Sequence, residues 1–208
     1  MDVREAIVFD FVEGVSGFRY LLRNPWRLKE FAIDFAAIHA RMHAITVPET
    51  VPVLKSILIR NMNLHDLLPP ETKERIIEYL GVLPDGNALC HGDYHPDNLL
   101  LQGRTPFVLD WMTATRGNPL ADVARTVILL KWAQPGPGTP LLARTMLGAI
   151  RQRFCQHYLT HYRGLTGARM DEIDRWELPV LAARLMEWIP KSEKKLFVSI
   201  IAEKLKQI

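Results

Sequence analysis

The sequence predicts a mainly α-helical fold with one small β hairpin. Three observations predict it. Apolar residues recur at helical spacing over most of the chain, Asn-Pro pairs stand before two of these stretches, and a glycine-containing turn joins two short apolar runs near the middle.

Ala6–Val12 (AIVFDFV) is rich in branched and aromatic residues and reads as a strand, broken by Gly14 and Gly17. Asn24-Pro25 is a helix start, a capping side chain followed by a preset φ. Trp26, Leu28, Phe31, Phe35, Ile38 and Met42 then carry a helix to about Ala44. Further helices are expected over Val53–Leu67 and over Glu71–Leu80, the second stopping at Gly81. Pro84-Asp85-Gly86 is a turn. Leu99–Gln102 and Phe107–Asp110 are the hairpin strands, turning at Gly103. Asn118-Pro119 opens a helix over Leu120–Trp132, and Pro135–Pro140 (PGPGTP) is a loop. Helices over Leu141–Tyr162, Asp171–Trp188 and Ser192–Gln207 complete the chain, with Pro179 expected to kink or split the second. No internal repeat or composition break divides residues 1–208, so one domain is expected.

Bulk properties narrow the function classes. Hydrophobic residues are 48% and charged residues 24%, ordinary for a globular protein. A net charge of +3 is too mild for a nucleic-acid partner, which calls for a clustered basic face. Cys90 and Cys155 make no disulfide framework; they read as buried apolar side chains, fitting a reducing cytoplasm. The charged start Met1-Asp2-Val3-Arg4-Glu5 lacks a signal peptide's apolar core, and no stretch approaches a membrane span, so no membrane partner is expected.

The residues that carry chemistry are His91-Gly92-Asp93-Tyr94-His95-Pro96-Asp97-Asn98 and Val108-Leu109-Asp110-Trp111. Phosphoryl transfer needs a carboxylate to accept or orient the proton of the attacking hydroxyl, and oxygen ligands to hold Mg²⁺ against nucleotide phosphates. Asp93 suits the first role. Asn98 and Asp110 supply a neutral and an anionic oxygen from the two arms of a hairpin. A metal-dependent hydrolase using Asp93 and Asp110 would leave the Asn98 spacing without a purpose. Asp97 reads as a solvated turn residue, and His95 as a histidine bracing the loop. His39 and His43 lie one helical turn apart, but Ala40 breaks the H-E-x-x-H pattern, so they read as half-buried helix residues. Trp132, Trp176 and Trp188 read as packing residues. Lys191, Lys194, Lys195, Lys204 and Lys206 read as a solvated helix face.

HGDYHPDN fits H-x-D-x-x-x-x-N, and LDW stands where protein kinases have DFG. With Gly117-Asn118-Pro119-Leu120-Ala121-Asp122-Val123-Ala124 downstream, the chain resembles the aminoglycoside phosphotransferase and choline kinase-like family. The resemblance implies the C-terminal lobe of a protein kinase-like fold. It implies Asp93 as the catalytic base or hydroxyl-orienting carboxylate, with His91 bracing the catalytic loop. It implies Asn98 and Asp110 as Mg²⁺ ligands and Asp122 as a structural anchor. It also implies a hinge at Ile7–Val12 whose backbone at Asp10, Phe11 and Val12 binds the adenine of ATP.

The upstream lobe of such an enzyme carries a glycine-rich loop and a strand lysine. Gly14, Gly17, Gly81 and Gly86 make no G-x-G-x-x-G, and Lys29, Lys55 and Lys73 fall in predicted helices. The N-terminal lobe is therefore expected to be absent and turnover impaired. A non-catalytic remnant or binding module is the alternative. Basic residues interspersed with Asp171, Glu172, Asp174, Glu177 and Glu187 argue against a polycationic acceptor and for a small hydroxylated metabolite.

Overall fold

The computed structural model describes residues 11–132 and 141–208. Eight α-helices and five short strands lie among them. The helices are α1 (Gly17–Arg23), α2 (Leu28–His43), α3 (Leu54–Asn63), α4 (Pro70–Val82), α5 (Pro119–Trp132), α6 (Leu141–Thr166), α7 (Met170–Arg184) and α8 (Lys191–Lys204). The strands are β1 (Val15–Ser16), β2 (Ala88–Cys90), β3 (Leu99–Gln102), β4 (Thr105–Val108) and β5 (Thr115–Gly117). The mainly α expectation holds. No described helix is long and apolar enough to cross a membrane.

The predicted hairpin is present as β3 and β4, with Leu99 opposite Val108 and Gln102 opposite Thr105. Its second strand stops two residues short of Asp110. β1 adds to the outer edge of β3, making an antiparallel sheet in the order β1-β3-β4. The expected strand over Ala6–Val12 is not seen where it can be judged. Residues 6–10 lie outside the described residues, and Phe11 and Val12 have no regular structure. Among the described residues pairing begins at Val15, and a Cβ on Gly14 would meet Leu100 Cγ and Leu101 O at 2.8 Å. Gly14 thus permits a close approach to β3.

A second sheet, β2 with β5, was not foreseen. Leu89 pairs with Arg116 there, and the pair places the HGD segment directly after β2. Asn24 does not cap a helix over 25–44. Its side-chain nitrogen donates to Tyr20 O at 3.0 Å and closes α1, and a single 3-10 turn at Pro25–Arg27 precedes α2. Asn118 does cap as predicted, its Oδ1 accepting from Leu120 N at 2.9 Å. α4 runs through Gly81 to Val82. α6 runs through Gly164 and ends at Gly167, whose φ of 74° suits the left-handed stop. Pro179 lies inside α7 without splitting it, because buried contacts on both sides outweigh one lost backbone bond. The Pro135–Pro140 loop lies outside the described residues.

α2 packs along α6, and α5 along α7, to form the core. Its centre is aromatic. Phe35 stacks on Tyr94 at 4.1 Å between centroids and meets Phe154 and Tyr158 edge-on at 5.5 Å. Cys90 and Cys155 are both buried, as expected, and burial pushes both thiols up, that of Cys155 to about 11. Trp176 is a core residue, but Trp188 is wholly exposed, which corrects its reading as a packing residue.

Candidate active site

The segment that follows β2 is bound to the helical core by the side chain of Asp122, on α5. Asp122 Oδ2 accepts from His91 N at 2.6 Å and Oδ1 accepts from Gly92 N at 2.8 Å. Two histidines of α2 complete its shell, His39 Nε2 at 3.1 Å and His43 Nε2 at 3.3 Å. Their other ring nitrogens meet Tyr158 Oη at 2.8 Å and Tyr162 Oη at 2.7 Å. Burial alone would raise the Asp122 pKa, but the two histidine hydrogen bonds hold it well below the usual carboxylate range. Burial and the neighbouring His43 lower the His39 pKa to about 3, so His39 is neutral. The two histidines do more than pack: they orient the carboxylate that anchors the segment after β2. Together with Asp122 they offer metal-ligating atoms within 4.8 Å of one another, yet every one of those atoms already has a hydrogen-bond partner.

Gly92 is required in this loop. Its φ is 79°, and a Cβ there would meet Thr113 O at 2.5 Å. His91 braces two segments at once. Its Nδ1 accepts from Asp93 N at 3.2 Å and its Nε2 donates to Leu109 O at 2.9 Å, beside Asp110. Tyr94 is fully buried; its hydroxyl donates to Phe35 O at 2.9 Å, and its carbonyl accepts from Thr126 Oγ1 at 2.9 Å.

Asp93 and Asn98 are brought together. Asn98 Nδ2 donates to the Asp93 carbonyl at 2.9 Å and to Asp93 Oδ2 at 3.2 Å. The amide nitrogen is thereby spent, and the amide oxygen is left as the free end. Asn98 O accepts from Leu109 N at 2.9 Å, so the chain leaving β4 passes beside Asn98 and delivers Asp110 at the hairpin mouth. Asp110 is exposed and has φ 60° and ψ 66°, the only non-glycine residue with positive φ among those described. Its carboxylate has no hydrogen-bond or ion-pair partner among them. Left-handed backbone on a residue other than glycine is strain of the kind that collects at working sites.

Asp97 is exposed and accepts from Ser16 Oγ at 2.9 Å, and His95 Nδ1 accepts from Asp97 N at 3.3 Å. Both therefore hold the loop. His95 Nε2 also lies 3.4 Å from Asp93 Oδ2. Arg125 was not foreseen. Its Nε donates to Gly92 O, one terminal nitrogen lies 3.4 Å from Asp93 Oδ1, and the other donates to Glu187 Oε1 at 2.6 Å. Burial by itself would raise the Asp93 pKa, but His95 and Arg125 together hold it down to about 2. Asp10 lies outside the described residues. Phe11 and Val12 are described, Phe11 being 91% exposed, and neither makes a contact that marks an adenine site. Lys29, Lys55 and Lys73 stand on α2, α3 and α4, as expected.

The model of the Phosphotransferase enzyme family, APH, matches residues 3–170. The chain belongs to that family. A solved structure of choline kinase LicA from Streptococcus pneumoniae superposes with a TM-score of 0.55 at 14% identity, over 85% of this chain and 64% of that one. The streptomycin-ATP-APH(2")-IIa ternary complex covers 94% of this chain and 68% of that one, with a TM-score of 0.44 at 14% identity. Acyl-CoA dehydrogenase family member 11 of Gallus gallus is 41% identical over 51 residues, which is 23% of this chain and 7% of that protein. The chain thus spans a small part of that relative and under two thirds of the choline kinase. The choline kinase likeness places this fold among kinase-like structures.

Proposed function

We propose that this member of the phosphotransferase family moves the γ-phosphoryl group of ATP to a hydroxyl of a small molecule, with Asp93, Asn98 and Asp110 as the working residues. One observation carries the reading. Asn98 turns its amide nitrogen to Asp93, leaving its oxygen without a partner among the described residues, and its backbone carbonyl accepts from Leu109 N, directly before a strained Asp110 whose carboxylate has no partner among them either.

That donor set fits Mg²⁺, a hard cation that prefers a few oxygen ligands. Asn98 Oδ1 and the Asp110 carboxylate would hold it, and when bound it neutralises charge on the nucleotide phosphates. Asp93 is too acidic, at about 2, to keep a proton, so its role is to orient the attacking hydroxyl. In the balanced step the acceptor oxygen bonds to phosphorus as the bond from phosphorus to the β–γ bridging oxygen breaks. That electron pair leaves on ADP, and the hydroxyl proton, oriented by Asp93, is released to solvent as the new bond forms. His91 and Asp122 hold the loop in place during this step, and Arg125 holds the second oxygen of Asp93. A cytoplasmic enzyme is the setting this chemistry suits.

Low turnover is expected for the chain as it stands. None of Lys29, Lys55 and Lys73 lies on a strand, the position from which a kinase lysine pairs the phosphates. Calorimetry with Mg²⁺–ATP tests the reading, compared with the D110A variant, followed by phosphorus NMR for a phosphorylated acceptor. Mg²⁺-dependent binding lost in D110A supports it; binding indifferent to D110A, or free phosphate as sole product, overturns it.

A further inference from the structure

The turn between α7 and α8 carries a groove of about 870 Å³ that the catalytic residues do not explain. Its floor is apolar and open: Trp188 is wholly exposed, Leu64 is 61% exposed and Leu67 is 44% exposed. Its rim is Lys191, Lys194 and Lys195. Lys204 and Lys206 pair with carboxylates, at Glu177 (2.6 Å) and at Glu203 (2.7 Å). The three rim lysines have no such partner among the described residues. Glu187, which also lines the groove, is held by Arg125 at 2.6 Å and Arg184 at 3.3 Å. Glu193 is buried against Arg184 at 3.3 Å. The rim charge is therefore unbalanced. It also stands at the start of α8, where the helix dipole is positive and disfavours lysine. Lysines without carboxylate partners among the described residues, over an exposed aromatic floor, fit an apolar ligand ending in an anion.

The groove adjoins the cavity at Asp93. Met186 and Glu187 line both, and the inner cavity, of about 520 Å³, reaches Asp93 and Arg125. We propose that the acceptor is an amphiphilic anion. Its hydroxyl lies at Asp93, its apolar segment runs over Met186 and Trp188, and its carboxylate or phosphate group rests on Lys191, Lys194 and Lys195. The hydroxyl end of this assignment rests on the phosphotransfer reading; the lysine end does not.

Four probes of one chain length separate the terms: ω-hydroxydecanoate, ω-hydroxydecyl phosphate, decanediol and ω-hydroxydecyl trimethylammonium. Calorimetry on the full chain should show both anions binding at least about tenfold tighter than the ammonium probe, about 1.4 kcal/mol. The carboxylate and phosphate arms tell the two anion sources apart. The preference should vanish in K191Q/K194Q/K195Q, and W188A should weaken all four probes. Equal affinities, or an anion preference that survives the triple variant, overturn the assignment. So does lysine-dependent binding to phosphatidylserine vesicles without binding of the soluble anions, which would make the patch a membrane contact. Lysine-dependent anion binding alongside Mg²⁺–ATP binding that is indifferent to D110A would sink the phosphotransfer reading and leave the groove assignment standing.

Discussion

Arg125 ties Asp93 to Glu187: one terminal nitrogen stands 3.4 Å from Asp93 Oδ1 and the other donates to Glu187 Oε1 at 2.6 Å. The carboxylate of the catalytic loop is thereby fixed from α5 and from the segment after α7. Replacing Arg125 by Met leaves half-buried Asp93 with His95 as its only basic neighbour and Glu187 with Arg184 alone. The expected cost is on the order of 3 kcal/mol in denaturant unfolding, with partial recovery in R125K. The Asp93 carboxyl, followed by carbon NMR, should titrate above its present value of about 2 in R125M. An unmoved titration would remove Arg125 from the site.

Asp122 accepts from two backbone N–H groups and faces two histidines, and an amide cannot serve all four. D122N keeps the volume but turns an NH₂ group toward donors. A loss of about 3 kcal/mol is expected, read as a lower denaturant midpoint. A change below about 0.5 kcal/mol, the size of an ordinary surface substitution, would contradict the anchoring role.

His39 gives the stability a pH dependence. Its folded pKa is lowered to about 3, against about 6.5 in the unfolded chain. Between those values the unfolded state binds the extra proton, so stability is complete above about pH 6.5 and falls as pH drops toward 3. Asp93 adds a loss below about pH 4 as it is protonated toward its folded value of about 2. H39Q should flatten the upper part of this profile in unfolding titrations. An unchanged slope between pH 6 and 4 would refute the assignment.

Asp110 holds a left-handed backbone that glycine adopts without penalty. D110G should therefore raise thermal stability, by about 1 kcal/mol, while abolishing Mg²⁺–nucleotide binding. D110N, which keeps the backbone and loses the charge, should lose binding without that gain. Thermal unfolding and calorimetry on the same samples separate the two effects.

Cys90 and Cys155 are buried with raised pKa values. Neither should react with a thiol reagent in the native chain, and both should react once denaturant unfolds it. Native-state labelling at the global unfolding rate is the expected result.

Much of the helical frame was legible because each long helix carries its own apolar stripe. The β3–β4 hairpin was legible because Gly103 and two apolar runs define it locally. β2 and β5 were not, since three-residue strands carry no period and exist only through each other. Asn24 misled because a cap and a helix end use the same side chain, and the spatial partner, Tyr20 O, decides between them. At the site, Asp93, Asn98 and Asp110 announced themselves by spacing. Arg125 and Glu187 did not: they are 62 residues apart, and only the packing of α5 against α7 brings them together. His39 and His43 were visible as a pair, but their purpose depends on Asp122, which is distant in sequence.

Tyr94 sits in the middle of the loop after β2 yet belongs to the protein interior, stacked on Phe35 and bonded to its carbonyl. The placement of the neighbouring carboxylate is thus inherited from how well the aromatic interior fits. A modest misfit such as Phe35→Leu, far from any reacting atom, would surface in an assay as a chemical defect. The fit of the interior is for that reason also what sets the position of Asp93.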